Sequence, residues 1–507
     1  MKNLFNTVKM TRPKRNMFDL SHDVKLSCNM GKLVPTMCIE AVPGDKFNIS
    51  CESLLRFAPL VSPVMHRMDV YMHYFFVPHR LLWDNWKNYI TNTLVGGVLP
   101  AHPYLTVDNH TWGSVHDYLG IPKPSLGSSA NINAMQFAAY QMIYNEYYRD
   151  QNLISEVPYK LVDGDNTGNS DLWSYRTRAW EHDYFTASLP FAQKGAAVDI
   201  PLGTVELNPD WDADGSQPTF VDAAGNPAGG MAPSALLNDV NAPHIKNTIG
   251  QEPLAYDPAG SLEVGSTTIN DLRRAFRLQE WLEKAARGGS RYIESILMHF
   301  GIKSSDKRLQ RPEYITGTKS PVIISEVLNT TGTLDAPQGN MAGHGFSVTG
   351  GKYGNYFCEE FGYIVGIMSI MPKTAYQQGI PKQFLKINDP FEQYWPSFAN
   401  IGEQPVLQRE IWGYSATPNA TFGYVPRYAD YKFQNSRVAG QFRTTLDFWH
   451  LGRIFSSEPA LNKSFIECDP DTRIFAVTNP DDDHLYAHIM HKVSASRLMP
   501  KFGTPSF

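Results

Sequence analysis

RMDVYMHYFFVPHRLLWDNW, residues 67–86, decides the fold class. Read with a two-residue period, one face carries Met68, Val70, Met72, Tyr74 and Phe76, and the other carries Arg67, Asp69, Tyr71, His73, Phe75 and Val77. The first face is apolar throughout. The second becomes apolar only toward its end, so the strand is expected to start near solvent and finish between two packed layers. Pro78 cannot donate to a ladder, and Leu81, Leu82, Trp83 and Trp86 resume at helical spacing, so a strand runs straight into a helix. His73 and His79 would bind metal only by converging with other ligands. A strand histidine among tyrosines more often bonds locally.

Outward from this stretch, residues 36–58 read as two short strands around the turn Pro43-Gly44-Asp45. Residues 131–148 suit a largely buried helix with Ala134, Phe137, Ala138, Gln141 and Asn145 on one winding. In TTINDLRRAFRLQEWLEKAARGG, Thr268 caps, Ile269, Leu272, Phe276 and Leu282 form a stripe, Glu280/Lys284 and Glu283/Arg287 pair, and Gly288-Gly289 stops the helix. From Tyr314 onward PVIISEVLNT, YFCEEFGYIVGIMSIMP, QPVLQREIWGY, RIFAVTN and HLYAHIMHKVSASRL are strand-like, and no 20–50-residue period repeats. Strands throughout a 507-residue chain, with helices in the connections, predict two facing antiparallel sheets of jelly-roll type.

Composition agrees: 12% aromatic and 19% charged residues, 35 prolines and 38 glycines favour many strands joined by long loops. The five cysteines, Cys28, Cys38, Cys51, Cys358 and Cys468, are odd in number and form no CxxC, which implies reduced thiols. There is no signal-like apolar segment or membrane-length run, so synthesis and retention in a cytoplasm are expected, without membrane insertion.

The net charge of −5 is unevenly distributed. Residues 1–25 hold Lys2, Lys9, Arg12, Lys14, Arg15 and Lys25 against Asp19 and Asp23, a balance of +4. Residues 195–260 hold nine acids, including Asp210, Asp212, Asp214, Asp222 and Asp239, against Lys246, a balance of −8. The same 66 residues contain eight glycines and eight prolines and no long periodic pattern, as in an exposed insertion. A basic arm meets phosphates without special geometry, which makes Lys2, Lys9, Arg12, Lys14 and Arg15 the DNA-binding candidates, weighed against a merely solvated tail.

No catalytic signature emerges. DWDADG, residues 210–215, opens like a calcium loop, but Val221 stands where the bidentate glutamate belongs. His484, His488 and His491 have metal-like spacing on a helix, but on a strand His484 and His488 share one face and His491 takes the other. GNMAGHGFSVTGGKYGN, residues 339–355, lacks phosphate-loop spacing and reads as a flexible loop. Neither GxSxG nor HExxH occurs. The expectation is no enzyme, no cofactor and no bound metal. Two other classes compete with a structural role: a cytoplasmic jelly-roll ligand-binding protein, and a metal-dependent hydrolase using His484 to His491.

Four blocks resemble the major capsid proteins of gokushoviruses, bacteriophages of the Microviridae with circular single-stranded DNA. They are HRMDVYMHYFFVPHRLLWDNW (66–86), AYQMIYNEYYRDQNL (139–153), GGSRYIESILMHFGIKSSDKRLQRPEYITG (288–317) and GNMAGHG (339–345). The resemblance implies an eight-stranded antiparallel jelly roll, a viral β-barrel with large loop and helical insertions, assembling as a T=1 icosahedral shell. It divides the chain into an internal basic arm (1–35), a first part of the jelly roll with a helical insertion (36–194), a threefold protrusion (195–260) and the remaining jelly roll (261–507). The protrusion, with Asp210, Asp212, Asp214, Asp222 and Asp239, would face the host. Implied partners are further copies of the chain, the single-stranded DNA genome, a small basic DNA-packaging protein, an internal scaffolding protein, a DNA pilot protein and a bacterial surface receptor. A chain of charge −5 cannot itself neutralise a genome, which independently calls for the basic packaging protein. The implied location is the virion, with the host cytoplasm during assembly.

Overall fold

The computed structural model describes residues 14–199, 205–206, 263–264, 268–328, 341–351, 353–477, 479 and 481–502. Two antiparallel sheets dominate. We label their strands β1 (Asn16–Asp19), β2 (His22–Cys28), β3 (Val34–Ala41), β4 (Lys46–Phe57), β5 (Met68–Pro78), β6 (Glu313–Pro321), β7 (Ile323–Leu328), β8 (Met341–Gly350), β9 (Gly354–Phe357), β10 (Gly362–Pro372) and β11 (Leu485–Arg497). One sheet runs β6-β5-β10-β3. In the other, β11 pairs with β1, β2 and β4, β4 continues to β8 and β7, and β9 also pairs with β4.

The opening stretch forms the central strand β5. Met68, Val70, Met72, Tyr74 and Phe76 enter the core between the sheets, beside Ile49, Leu55, Ile364, Ile489 and Val493. Each fully buried side chain of this size contributes roughly 1.5–3 kcal/mol. Phe75 and Val77, on the reverse face, join a second core with Trp83 and the helix α2 (Met135–Ile143), through Phe137, Tyr140 and Ile143. Pro78 holds the last ladder position opposite Gly362, and α1 (His79–Leu82) follows at once. The expected solvent-facing start is corrected at Asp69, which is buried. A carboxylate survives there because Lys319, from a distant segment, and the neighbouring Arg67 reach it.

The turn at 43–45 is as expected, with Gly44 at φ +94°, although β4 is a long strand of 12 residues. Asn133 Oδ1 accepts from the Met135 backbone N–H, so α2 starts later than its pattern implied and Ala130–Asn133 is a short strand. The glycine-rich stretch is no flexible loop where it is described: Met341–Gly350 is β8, paired with β4 and β7. Its glycines serve close backbone approach. A Cβ on Gly343 would lie 2.2 Å from the Ser62 carbonyl oxygen, and one on Gly345 would lie 2.7 Å from the Phe57 ring.

One strand expectation fails and another holds in part. Among the described residues RIFAVTN makes only an isolated bridge, Leu60 with Phe475, whereas QPVLQREIWGY does give the strand Glu403–Leu407, which passes at once into the helical turn Gln408–Ile411. Residues 16–28 add β1 and β2 to the larger sheet rather than extending freely.

The chain divides into two compact units, 1–194 with 283–507, and Gly195–Leu282. Within the second, Val205–Glu206 pairs antiparallel with Glu263–Val264. Thr268 Oγ1 caps α3 (Ile269–Gly288) by accepting from the Asp271 N–H, and Gly289 at φ +102° follows its end. The expected stripe on α3 is not a buried one: Ile269 and Phe276 are exposed. Arg287 engages Glu403.

Candidate functional site

The polar end of β5 is built from segments far apart in sequence. Asp69 meets Lys319 Nζ of β6 at 3.0 Å and Arg67 Nε at 3.5 Å. Lys319 also reaches Glu181 Oε1 at 3.2 Å, and Glu181 accepts from Tyr71 and pairs with Lys373. The Arg178 guanidinium lies 4.2 Å from the Tyr71 ring centroid, and its N–H donates to Ser369 Oγ at 2.9 Å. Two carboxylates among four cations hold the inner strands to the connecting segment 178–181. Each carboxylate is engaged by two cations, an arrangement that serves cohesion. Nothing in the spacing of Arg178, Glu181, Lys319 and Lys373 announces it.

The histidines are absorbed in the same way. His73 Nδ1 lies 2.7 Å from the Tyr148 hydroxyl, and His79 packs between Trp86 and Tyr363. Burial holds the imidazoles of His73 at about 4 and His79 at about 3, well below the usual 6.5. His488 is outward on β11, 3.4 Å from Asp23, whereas His491 points inward. His491 Nε2 faces the Thr36 carbonyl at 3.1 Å, so it carries the proton, and Nδ1 accepts from the Tyr74 hydroxyl at 2.8 Å. His484 lies against Asn29 and the Val477 carbonyl. Among the described residues no group of three or more His, Cys, Asp or Glu side chains is placed to hold a metal.

Of the basic arm, Lys2, Lys9 and Arg12 lie outside the described residues; Lys14 is exposed. Arg15 is spent on the fold, donating to the carbonyls of Gly44 at 2.6 Å and Ser496 at 2.7 Å. It anchors the root of the arm where β1 meets the end of β11. Asp210, Asp212, Asp214, Asp222, Asp239 and the calcium-like DWDADG also lie outside the described residues. The five cysteines are free, and burial pushes the Cys38 thiol up to about 12.

Apolar groups remain on the surface in a pattern. On the outer face of the larger sheet, Tyr486, Phe346 and Ile323 of β11, β8 and β7 stand in one register row, interrupted by Arg56 of β4, with Val348 66% exposed one row away. The helix α4 (Tyr292–Phe300) buries none of its residues, and Tyr292 and Phe300 are 73% and 76% exposed. Such patches mark association surfaces. No described helix is long and apolar enough to cross a membrane.

Comparison with known proteins gives these surfaces a context. Residues 6–507 match the family described as capsid protein (F protein). The chain is similar to capsid protein VP1 of Bdellovibrio phage phiMH2K, 36% identical across 99% of this chain and 97% of that protein. It is similar to capsid protein VP1 of Chlamydia phage 1, at 32% across 100% and 98%, and to that of Spiroplasma virus 4, at 28% across 99% and 97%.

Proposed function

The chain belongs to the capsid protein (F protein) family and is a structural capsid subunit of the Microviridae, located in the virion, not an enzyme; from that premise we propose how it builds and fills its shell. Copies of the chain assemble as a T=1 icosahedral shell around a circular single-stranded DNA genome. Their sandwich is an eight-stranded jelly roll elaborated by insertions. Its support is the chain path: β3, β4 and β5 alternate between the sheets, β6 precedes β7 and β8 in the opposite sheet, and β10 and β11 cross again.

The arm within residues 1–35 faces inward, with Lys2, Lys9, Arg12 and Lys14 meeting phosphate and Arg15 fixing the root. The insertion 195–260, with Asp210, Asp212, Asp214, Asp222 and Asp239, faces the host at the threefold axes and contacts a bacterial receptor. A small basic packaging protein, an internal scaffolding protein and a DNA pilot protein complete the assembly. The observation that carries this polarity is the charge split, +4 in residues 1–25 against −8 in residues 195–260.

Deletion of residues 2–13 tests it while keeping Arg15. Negative-stain microscopy should still show uniform icosahedral particles, and their DNA per unit protein should fall. Particles carrying undiminished DNA would refute the inward role of the arm.

A further inference from the structure

A cavity of about 290 Å³ opens beside the polar end of β5. Four segments form its walls: Met65–Arg67 before β5, Lys373–Ala375 after β10, Ser436–Phe442 and Trp449–His450. Backbone bonds lace them together, from Met65 N–H to the Trp449 carbonyl at 2.8 Å, Lys373 to Arg67 at 2.9 Å and Tyr376 to Ser436 at 3.0 Å. The cavity is therefore pre-formed, at the small end of the roughly 300–1,000 Å³ range of ligand sites.

Its lining has one sign of charge. Arg67, Lys373 and Arg437 contribute cations, and no lining residue is acidic. Arg67 and Lys373 are partly balanced from behind by Asp69 and Glu181, whereas Arg437 makes no ion pair among the described residues. Phe442 and Trp449, each half-buried, supply aromatic surface beside these cations. His66 and His450 are tied to the carbonyls of Lys373 and Phe442 at 2.6 and 2.7 Å, which stiffens the floor.

We propose that this cavity seats one nucleotide of single-stranded DNA, its phosphate held by Arg437 and Arg67 and its base laid against Trp449 and Phe442. The assignment rests on the reading that the subunit encloses such a genome, and names a place where genome and shell meet. Charge alone would equally suit an acidic peptide. The aromatic pair beside the cations favours a nucleotide, because every base presents a π face, whatever the sequence.

Two measurements test it. Particles grown with 5-iododeoxyuridine in the genome are irradiated, digested and mapped by mass spectrometry. Crosslinks on peptides carrying Phe442 or Trp449 are expected. Crosslinks confined to other peptides overturn the cavity but leave the enclosed genome standing, and particles without DNA overturn both. Separately, the purified full chain is titrated with fluorescent oligothymidylate. Arg437→Ala, at an exposed position, should weaken binding several-fold and lower the salt slope by about one. Unchanged affinity and slope overturn the proposal, as does a chain that binds polyglutamate through Arg437 but does not bind oligothymidylate.

Discussion

Replacing His491 by phenylalanine should change how the subunit responds to acid. His491 is fully buried between the sheets, and burial together with His22 holds its imidazole at about 4 against the ordinary 6.5. A group whose folded pKa is depressed contributes stability that is complete above the unfolded pKa and disappears as pH falls toward the folded one. At pH 5 the unfolded histidine is almost fully protonated while the folded one is almost neutral. His491 alone then accounts for about 2 kcal/mol of lost stability relative to pH 8, rising to about 3 kcal/mol below pH 4. His491→Phe removes this linkage but leaves the Tyr74 hydroxyl and the Thr36 carbonyl without their partner, costing about 1–3 kcal/mol at pH 8. Urea unfolding of the unassembled subunit, followed by tryptophan fluorescence at pH 8 and pH 5, measures both terms. The deficit of the variant should shrink by about 2 kcal/mol at pH 5, and a deficit equal at the two pH values would refute the reasoning.

Three further outcomes follow from the same geometry. Gly343→Ala sets a methyl against the Ser62 carbonyl oxygen and should lose about 1–3 kcal/mol, whereas Gly350→Ala, with nothing within 4 Å, should stay within about 0.5 kcal/mol; equal urea midpoints would contradict the packing of β8. Asp69→Ala leaves Lys319 and Arg67 without their shared carboxylate and should cost roughly 3 kcal/mol in chemical denaturation, while Arg67→Ala alone, at an exposed cation, should cost under about 1 kcal/mol. Phe300→Asp, at an exposed position on α4, should leave the thermal midpoint of the subunit within a few degrees but lower particle yield in sedimentation; normal yield would remove α4 from the assembly contacts.

The sequence reveals what depends on local alternation. Met68 to Phe76 declare an apolar face in their spacing, and Pro78 declares its end, so the central strand and its stop are readable. The same holds for Thr268 and Gly289 around α3 and for Gly44 between β3 and β4. Contacts across large separations are not readable. Asp69 looks solvent-facing because Lys319 and Glu181 stand far away in the chain, and Met341–Gly350 looks like a loop because nothing nearby in sequence shows Ser62 and Phe57 pressing on its glycines. RIFAVTN alternates convincingly, yet among the described residues its neighbours in space make only one bridge with it. For the candidate surfaces, charge balance is legible from composition, whereas the cavity beneath Arg437 needs four segments brought together by the fold.

The pairing of Val205–Glu206 with Glu263–Val264 has an engineering consequence. The chain departs and returns through adjacent strands, so the sequence between them is tethered at a single doorway. Lengthening a segment whose two ends are already paired costs only about 0.6 kcal/mol for each doubling. The doorway is therefore a docking port for foreign peptides, where epitopes or binding modules can be exchanged as cassettes while the two-sheet scaffold keeps its own strands in register.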